Sequence, residues 1–578
     1  RYVRVLVPLF LPSPTSVLAG LFGLLFTALS FLVQQDKLPA EVLMVALLPL
    51  VLFTLWGFIR RFDWRALVRP SVIGGALLLS FATVAFSQPT PLNEDIWGKV
   101  KVCLMVLPAG WLLLAGLWMG LRRIRLPERH LPPLPASIVI GLYTAGALCL
   151  SWMDWYPSGT SPDTRHQWGQ IHGTLRLNDI HALGHTLYLK GLLAIWDDYA
   201  IAILAHILMI SLLYSLFAWY LAKRGLPTGW MLMLTALFTA CETPTRSYMY
   251  PWKDTPYTFA VGMLTLMLLY LLEEGPKFSW PKAILTGLAL AWSTLFRLNG
   301  VVVLLVVGLW LLFAAIRAKA WKRLAAGLAA VMVSFGTVNY LGYHVYGAES
   351  PDNGFSIQVF VSGLSAMNTQ CGPELSREDR EAIGDLLSPT WMVQYYEPWR
   401  TRYMIWTYET YDPEGIFDDP NMEIMVNNFV LEAGKNKNEI VKLYFKLMPH
   451  HLGVCIRDAI CNTYAVWGYT STTQFFYNNI FLLVLLMVGV GAVWRGTTIR
   501  RKLILFAPVI CNAVSIAIST ITNEERYLLP SFTLFPMLLC CLICLSDFRP
   551  GRQEEVPQAE TPAAPLPESE TPAAEPTA

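Results

Sequence analysis

The chain has 578 residues, of which 54% are hydrophobic and only 15% charged, and its formal net charge is +2. Soluble globular proteins carry roughly 25% charged residues, so this composition argues against a protein surrounded mainly by water. No basic stripe with interleaved aromatic residues occurs in the sequence, so nothing in it indicates a nucleic-acid partner.

Apolar stretches recur along most of the chain. A helix needs roughly twenty apolar residues to cross the hydrocarbon core of a bilayer. Stretches that meet this criterion lie near 13–33, 39–58, 71–87, 102–121, 136–152, 199–222, 228–243, 257–272, 282–296, 299–316, 324–341, 478–494, 503–520 and 528–546. We therefore predict an all-α polytopic membrane protein with about 14 transmembrane helices.

The Lys and Arg residues of the short loops indicate the orientation, because such residues favour the cytoplasmic side. If the N-terminus is cytoplasmic, strict alternation makes every cytoplasmic loop basic, as 122–129 and 495–502 illustrate. The opposite loops carry only scattered positive charges. The charge pattern thus predicts that both termini face the cytoplasm.

Two long loops then face outward. Residues 153–198 contain amphipathic stretches at 164–176 and 181–196, which suit juxtamembrane helices on the membrane surface. Residues 342–477 are long enough for a small soluble domain. The predicted organisation is an N-terminal four-helix membrane extension (1–130), a transmembrane core (131–341) with its first outer loop at 153–198, an outer soluble domain (342–477), C-terminal transmembrane helices (478–546) and a disordered cytoplasmic tail (547–578).

The outer domain contains three of the ten cysteines. Cys371, Cys455 and Cys461 lie in its polar sequence, where an oxidising environment would permit one disulfide. Most of the other cysteines lie in apolar runs and are expected to pack as small hydrophobic residues.

The first outer loop contains two carboxylates, Asp163 and Asp179, just outside a predicted span. A carboxylate at this position can act as a general base towards an acceptor hydroxyl. Alternatively, each is a solvated loop residue or a helix cap. Asp163 follows a proline and precedes a helical pattern, as an N-cap residue does.

His181 and His185 are four residues apart and would share one helix face. This spacing can bind a metal, with Asp179 as a further ligand, but the glutamate of the usual zinc motif is missing. Hydrogen bonding to a substrate or a phosphate is the favoured interpretation. No metal ligand is therefore assigned and no cofactor is required, with a divalent metal as the alternative.

Cations follow in three later outer loops. Lys253 is a compact charge suited to a phosphate, and the neighbouring Asp254 can orient it; the alternative is an interfacial Trp–Lys anchor. Arg297 lies between two spans with almost no loop, where an arginine must pair, snorkel or face a wet cavity. Arg526 precedes the last span, and its alternative role is an ion pair with Glu524 or Glu525.

These charged residues share one predicted face of the membrane. Carboxylates and cations at the membrane rim suit a substrate with an anionic phosphate and a lipid tail, because the cations would stabilise a phosphate leaving group. Glycosyl transfer from a polyprenyl phosphate fits this combination. The residues concerned are Asp163, Asp179, His181, His185, Lys253, Asp254, Arg297 and Arg526.

At these residues the chain resembles the GT-C superfamily of integral-membrane glycosyltransferases, especially bacterial relatives of protein O-mannosyltransferases and of the lipid A aminoarabinose transferase. The likeness covers roughly 130–546. It rests on Ser161-Pro162-Asp163, His181-Ala182-Leu183, Tyr250-Pro251-Trp252-Lys253-Asp254, Arg297-Leu298-Asn299-Gly300 and Glu525-Arg526-Tyr527-Leu528-Leu529-Pro530. Ala182 and Leu183 stand where the family has prolines, and Leu298 also replaces a proline.

The resemblance implies inverting transfer of a sugar from a polyprenyl-phosphate donor to a cell-envelope glycan, lipid or protein on the outer face. Asp163 would be the base, with Asp179 as the alternative or a second carboxylate. The other residues would bind substrate: Lys253, Arg297 and Arg526 at the phosphate, with Asp254 and Tyr527 beside them, and His181 and His185 at the donor.

Other functions also fit a chain of this kind. A transporter or flippase of a lipid-linked or anionic substrate would usually carry ionisable residues inside its spans. Here, His206 and Glu242 are the exceptions in spans that mostly lack charge. A polymerase or ligase of envelope polysaccharide would use lipid-diphosphate substrates, and a non-enzymatic scaffold or sensor would carry a soluble signalling domain.

Overall fold

The structure is a computed structural model. It describes residues 14–34, scattered positions between 37 and 52, 63–86, 96–122, 131–239, 242–275, 279–350, 357–387, 435–456 with 458 and 459, 479–493, 502–519 and 525–544. The regular elements of these ranges are all helices; the ranges contain no strand, only an isolated β-bridge between Asn178 and Glu349. The all-α prediction is confirmed for this part of the chain.

The helices follow the predicted apolar stretches closely. In chain order they are α1 (Pro14–Gln34), α2 (Pro70–Phe86), α3 (Ile96–Leu121), α4 (Pro133–Trp155), α5 (Pro162–Ile171), α6 (Leu183–Leu193), α7 (Ala200–Ala222), α8 (Thr228–Thr239), α9 (Glu242–Tyr248), α10 (Asp254–Glu274), α11 (Trp280–Leu295), α12 (Val301–Arg317), α13 (Trp321–Asn339), α14 (Gln358–Cys371), α15 (Arg377–Leu386), α16 (Lys437–Leu447), α17 (Asn479–Val493), α18 (Ala507–Ser519) and α19 (Leu529–Cys544). The predicted span at 39–58 lies mostly outside the described residues.

Among the described residues, five helical stretches are long and apolar enough to cross a membrane. They are Pro133–Trp155, Ala200–Ala222, Asp254–Glu274, Leu298–Arg317 and Trp321–Val345. The last two include short helical turns at the ends of α12 and α13. Several other predicted spans form shorter apolar helices, among them α8 and α19. The membrane-like helical character is thus confirmed, whereas the number of spans and their orientation stay predictions.

The main hydrophobic core surrounds α7 and α10. Helix α7 packs along α4 and also contacts α10 and α19, while α10 packs against α11 and α19. Bulky side chains such as Tyr214 and Tyr257 are completely buried here. This packing brings the ends of α10 and α19 together, although the two helices are distant in sequence.

The loop at 153–198 forms two short helices, α5 and α6, which overlap the amphipathic stretches predicted at 164–176 and 181–196. Helix α6 crosses α11 and α13. At the crossing, a Cβ atom on Gly184 would come within 2.6 Å of the carbonyl oxygen of Leu295, so this approach requires glycine. The loop is thereby held close to the residues that follow α11.

A second, smaller hydrophobic cluster lies in the predicted outer domain. Helices α14, α15 and α16 contact one another through buried side chains that include Met367, Ile383 and Ile440. Cys371 and Cys455 are buried free thiols in the structure, and Cys461 lies outside the described residues. Residues 388–434 and the tail at 547–578 also lie outside them.

Candidate functional site

Asp163 occupies the first turn of α5 and is not the residue that caps this helix. The cap is Ser161, whose Oγ accepts a hydrogen bond of 3.2 Å from the backbone N–H of Thr164. Serine is a preferred N-cap, and a carboxylate in the first turn is favoured by the helix dipole. Because Ser161 caps the helix, the Asp163 carboxylate is available for other contacts.

Two cations from distant parts of the chain converge on this carboxylate. The Nη2 atom of Arg526 donates a hydrogen bond of 3.2 Å to Oδ2 of Asp163. The Nζ atom of Lys253 lies 3.9 Å from the same oxygen. The side chain of Asp163 is 32% exposed, whereas that of Arg526 is only 8% exposed. The carboxylate thus opens to solvent on one side and faces positive charge on the other.

The electrostatics keep Asp163 ionised. Burial by itself would raise the pKa of this carboxyl, but the positive charges of Arg526 and Lys253 outweigh burial and hold the pKa well below its usual range. An ionised carboxylate can accept a proton from a hydroxyl. Its basicity is nevertheless low while both cations are close to it.

Aromatic rings surround Arg526. Its guanidinium carbon lies 4.2 Å from the ring centroid of Trp252 and 5.3 Å from that of Tyr527. The indole N–H of Trp252 donates a hydrogen bond of 2.8 Å to Oγ of Ser161. The residue that caps α5 therefore also helps to hold the ring over Arg526, and this contact connects the loop at 153–198 to the turn before α19.

Arg297 forms the second cationic group of the site. It is 8% exposed and makes an ion pair with the buried Asp254. Its guanidinium carbon lies 4.6 Å from the centroid of the Tyr527 ring, so both arginines contact this tyrosine. The sequence predicts that Arg297 forms an ion pair, snorkels or faces a wet cavity. The structure shows the ion pair, and Asp254 is the partner. An arginine so well buried is costly unless it is paired.

The turn that carries Arg297 depends on Gly300. A Cβ atom at this position would overlap the carbonyl oxygen of Ser293, at the end of α11. The tight turn Leu298–Gly300 leads directly from α11 into α12. The Nε atom of Arg297 donates a hydrogen bond of 3.1 Å to Oδ1 of Asn299 in this turn. The Arg-Leu-Asn-Gly sequence thus orients the guanidinium by its own local geometry.

His181 lies next to the cation that faces Asp163. The Nζ atom of Lys253 is 3.4 Å from Nδ1 of His181, and the His166 and His181 rings meet edge to face with centroids 5.2 Å apart. Burial, reinforced by the charge of Lys253, lowers the pKa of His181 to about 3. The imidazole is consequently neutral at physiological pH, so it can accept a hydrogen bond at one nitrogen and donate at the other.

His185 is completely buried in the first turn of α6, whereas His181 precedes this helix, so the prediction that the two share one helix face is wrong. Its Nδ1 atom lies 3.1 Å from Nε2 of Gln167, which also donates to the hydroxyl of Thr186 at 2.9 Å. Because the amide donates to Nδ1, the proton of the neutral ring is on Nε2. This Nε2 is buried and has no hydrogen-bond partner among the described residues. Burial and the charge of Lys253 hold the pKa of His185 well below the usual value.

A second buried imidazole, His206, lies within electrostatic range of His185. Its Nδ1 atom is 3.1 Å from the carbonyl oxygen of Tyr248, which can only accept, so Nδ1 carries the proton. The Nε2 atom of His206 is therefore an acceptor, and it has no partner among the described residues. His185 and His206 thus present one buried donor and one buried acceptor.

Asp179 has different contacts. Its Oδ2 atom accepts hydrogen bonds from the Tyr343 hydroxyl at 2.8 Å and from Ser350 at 2.7 Å. Its backbone N–H donates to the carbonyl oxygen of Glu349 at 3.1 Å. These contacts attach the first outer loop to the segment after α13. They give this carboxylate a structural role in the described part of the chain.

Most of the residues predicted for the site come together in the structure. Asp163 contacts Lys253 and Arg526, and Tyr527 connects Arg526 to Arg297. The sequence interpretation overlooked Ser161, His166 and Trp252 as members of the site. Signals for two of them were present, because His166 lies one helical turn after Asp163 and Ser161 is a good N-cap residue.

The arrangement combines one solvent-accessible carboxylate, two arginines and a lysine, neutral imidazoles, and aromatic rings. Such a set can bind an anionic group through the cations, accept a proton at Asp163, and hydrogen-bond hydroxyl groups at the imidazoles. The side chains of Glu524 and Glu525, the alternative partners suggested for Arg526, lie outside the part of the chain that the structure describes. No protein-family model, curated protein or solved structure matches the chain.

Proposed function

We propose that this protein is a membrane glycosyltransferase that moves a sugar from a polyprenyl-phosphate donor to a hydroxyl of a cell-envelope acceptor. The observation that supports the proposal most directly is the position of Asp163 beside Arg526 and Lys253. Attack of a hydroxyl on a phosphate-linked carbon needs a base for the hydroxyl proton and positive charge for the departing phosphate. Here the carboxylate and the cations lie within 4 Å of each other.

The phosphate of the donor would bind to the cations. Arg526 offers a planar guanidinium that can contact two phosphate oxygens, and Lys253 adds a point charge. Arg297 lies on the other side of the Tyr527 contact and is compensated by Asp254. The apolar helices around the site suit the polyprenyl tail. Side chains thus neutralise the leaving group in this proposal.

Binding of the donor would also activate the base. In the free protein, Arg526 and Lys253 lower the pKa of Asp163 and make it a weak base. A bound phosphate would compensate these positive charges, so the pKa of the carboxylate would rise towards the range in which it accepts a proton readily. The site would therefore become reactive when the donor is present.

The sugar would lie near the buried imidazoles. The Nε2–H of His185 can donate and the Nε2 of His206 can accept. A sugar hydroxyl both donates and accepts, so it complements this pair. Because the low pKa of His185 keeps its imidazole neutral, this pair suits an uncharged sugar hydroxyl.

The transfer step needs no reactant besides the donor and the acceptor. Asp163 takes the proton of the acceptor hydroxyl as its oxygen attacks the anomeric carbon. The bond between this carbon and the phosphate oxygen breaks, and its electron pair leaves with the polyprenyl phosphate. Attack from the face opposite the leaving group inverts the anomeric configuration. The outward orientation of the site is part of the proposal and follows from the charge pattern of the loops.

The direct test is donor discrimination by the full-length protein in proteoliposomes. A panel would compare radiolabelled polyprenyl-phosphate sugars, polyprenyl-diphosphate sugars and nucleotide sugars, with an envelope extract as acceptor. The proposal predicts label transfer from the monophosphate donors and inversion at the anomeric carbon. Transfer from diphosphate donors alone, or movement of the donor across the bilayer without transfer, would contradict it.

A further inference from the structure

A compact group of metal-ligating side chains lies in the second hydrophobic cluster, apart from the site around Asp163. It consists of the Cys371 thiol, the Glu374 carboxylate and the His451 imidazole. The candidate ligand atoms of these three residues all lie within 4.8 Å of one another. Cys371 is buried, His451 is half-buried and Glu374 is exposed, so the group extends from the interior to solvent.

Local backbone structure positions each residue. Cys371 ends α14, and the following turn brings Glu374 back, with a backbone hydrogen bond of 2.8 Å from Glu374 N–H to the carbonyl oxygen of Cys371. His451 follows the short turn Met448–His450 after α16. The apolar cluster formed by α14 and α16 holds these two segments together. The ligands are thus brought together by tertiary packing.

A second thiol belongs to the same neighbourhood. The backbone N–H of Cys455 donates a hydrogen bond of 3.2 Å to the carbonyl oxygen of His451, which places the two residues one helical turn apart. The Cys455 side chain is 7% exposed, and its thiol interacts electrostatically with that of Cys371. The Cys455 thiol makes a side-chain hydrogen bond with Tyr444 and is not one of the three grouped ligands.

We propose that Cys371, Glu374 and His451 bind a zinc ion, with a water molecule as the fourth ligand, and that this ion cross-links α14 to the segment after α16. Sulfur, nitrogen and carboxylate oxygen are the donors that zinc takes in tetrahedral sites. Zinc–ligand bonds of about 2.0–2.3 Å bring neighbouring ligands to roughly 3.3–3.8 Å from each other. The observed group needs only a small contraction to reach this geometry.

The alternative for this region is a disulfide between Cys371 and Cys455. It would use both thiols and leave Glu374 and His451 without a shared partner. The zinc site uses the three side chains that the fold brings together, which is why the geometry favours it. The two states also differ in mass, since the disulfide removes two hydrogen atoms and the zinc complex retains the metal.

The test uses the full-length protein in detergent, stripped with a chelator under reducing conditions and then titrated with zinc. Bound zinc is measured by elemental mass spectrometry. Replacement of zinc by cobalt reports a thiolate ligand, because cobalt bound to a thiolate has a sulfur-to-metal charge-transfer absorption band. The proposal predicts one zinc per chain at this site. Cys371→Ser should abolish the cobalt–thiolate band, and Glu374→Gln and His451→Asn should each weaken zinc affinity at least tenfold.

Matched controls come from neighbouring residues. His450→Asn changes the exposed histidine beside His451, and Cys149→Ser changes an exposed thiol; both should retain zinc and the cobalt band. If Cys371→Ser does not fold, Glu374→Gln alters an exposed side chain and still tests the site. Unchanged zinc binding in Glu374→Gln and His451→Asn would overturn the proposal. A Cys371–Cys455 disulfide in protein purified without reductant or chelator would overturn it as well.

Discussion

The Nη2 atom of Arg526 lies 3.2 Å from Oδ2 of Asp163, although 363 positions of sequence separate the two residues. The contact joins the first turn of α5 to the turn that precedes α19. It requires the packing of α19 against α10 and α7 that forms the core. The relationship between this carboxylate and the cation is therefore a product of the whole helical fold.

Removal of Arg526 should weaken both donor binding and transfer. Arg526→Ala deletes a buried guanidinium that would contact the phosphate, so we expect kcat/KM to fall by roughly 10²-fold. Arg526→Lys should recover part of this loss, because it keeps the charge but not the bidentate geometry. The measurement is transfer kinetics over a range of donor concentrations.

Arg377→Ala provides the control for this change, since the Arg377 side chain is 89% exposed on α15 and lies outside the site. Wild-type kinetics in Arg526→Ala would show that the phosphate does not bind at this residue.

The pH profile of transfer should reflect the low pKa of Asp163. A carboxyl whose pKa is depressed in the folded protein stays ionised at pH values where an ordinary carboxyl is already protonated. It takes up a proton only at still lower pH. The profile of kcat/KM, which reports the free enzyme, should therefore show no acid limb from this group near neutrality. Lys253→Met removes one of the stabilising charges, so the acid limb should move to higher pH.

Lys282→Met is the matched control, because Lys282 pairs with Glu274 away from the site and its loss should leave the profile unchanged. An acid limb near pH 6 in the wild type that Lys253→Met does not shift would contradict this account.

Much of the fold was predictable from the sequence. Apolar runs of about twenty residues have few alternatives to helices, and α4, α7 and α10 lie where the pattern places them. The closely spaced α11 and α12 are also separate helices, divided by the turn at Leu298–Gly300. In contrast, helix pairs such as α1 with α8 depend on tertiary packing, which a single sequence does not reveal.

The site was predictable as a set of residues but not as a set of pairs. The residues of the site could be identified because an ionised side chain at the end of an apolar helix is costly unless it pairs or binds something. The pairing of Asp254 with Arg297, and the contacts of Asp179 with Tyr343 and Ser350, depend on which segments meet in three dimensions. His206 was visible as a polar residue in an apolar span, but its relation to His185 was not.

The crossing of α6 and α11 should be sensitive to a single methyl group. Gly184→Ala would place a Cβ 2.6 Å from the Leu295 carbonyl oxygen, so we expect destabilisation by about 1–3 kcal/mol and a lower Tm. Gly191→Ala changes the same helix where no atom lies within 4 Å, and it should leave Tm unchanged or raise it slightly. Thermal unfolding in detergent compares the two. Equal Tm values for both variants would contradict the close packing of this crossing.

Asp179 should matter for stability more than for transfer. Asp179→Ala removes the acceptor of two hydrogen bonds, from Tyr343 and Ser350, and we expect a loss of about 1 kcal/mol because the site is partly exposed. The kcat for transfer should be retained. Tm and kcat measured on the same preparation separate the two effects. Loss of kcat with an unchanged Tm would make Asp179 the better candidate for the base.

The most direct test of the proposed mechanism is the rate of sugar transfer by Asp163→Asn with saturating polyprenyl-phosphate donor. The asparagine keeps the size of the side chain but cannot accept the hydroxyl proton. The mechanism predicts that kcat falls by about 10²–10⁴-fold while the donor still binds. Asp154→Asn, which alters an exposed carboxylate near the end of α4, should keep full activity. Full transfer activity in a folded Asp163→Asn protein would contradict the central claim.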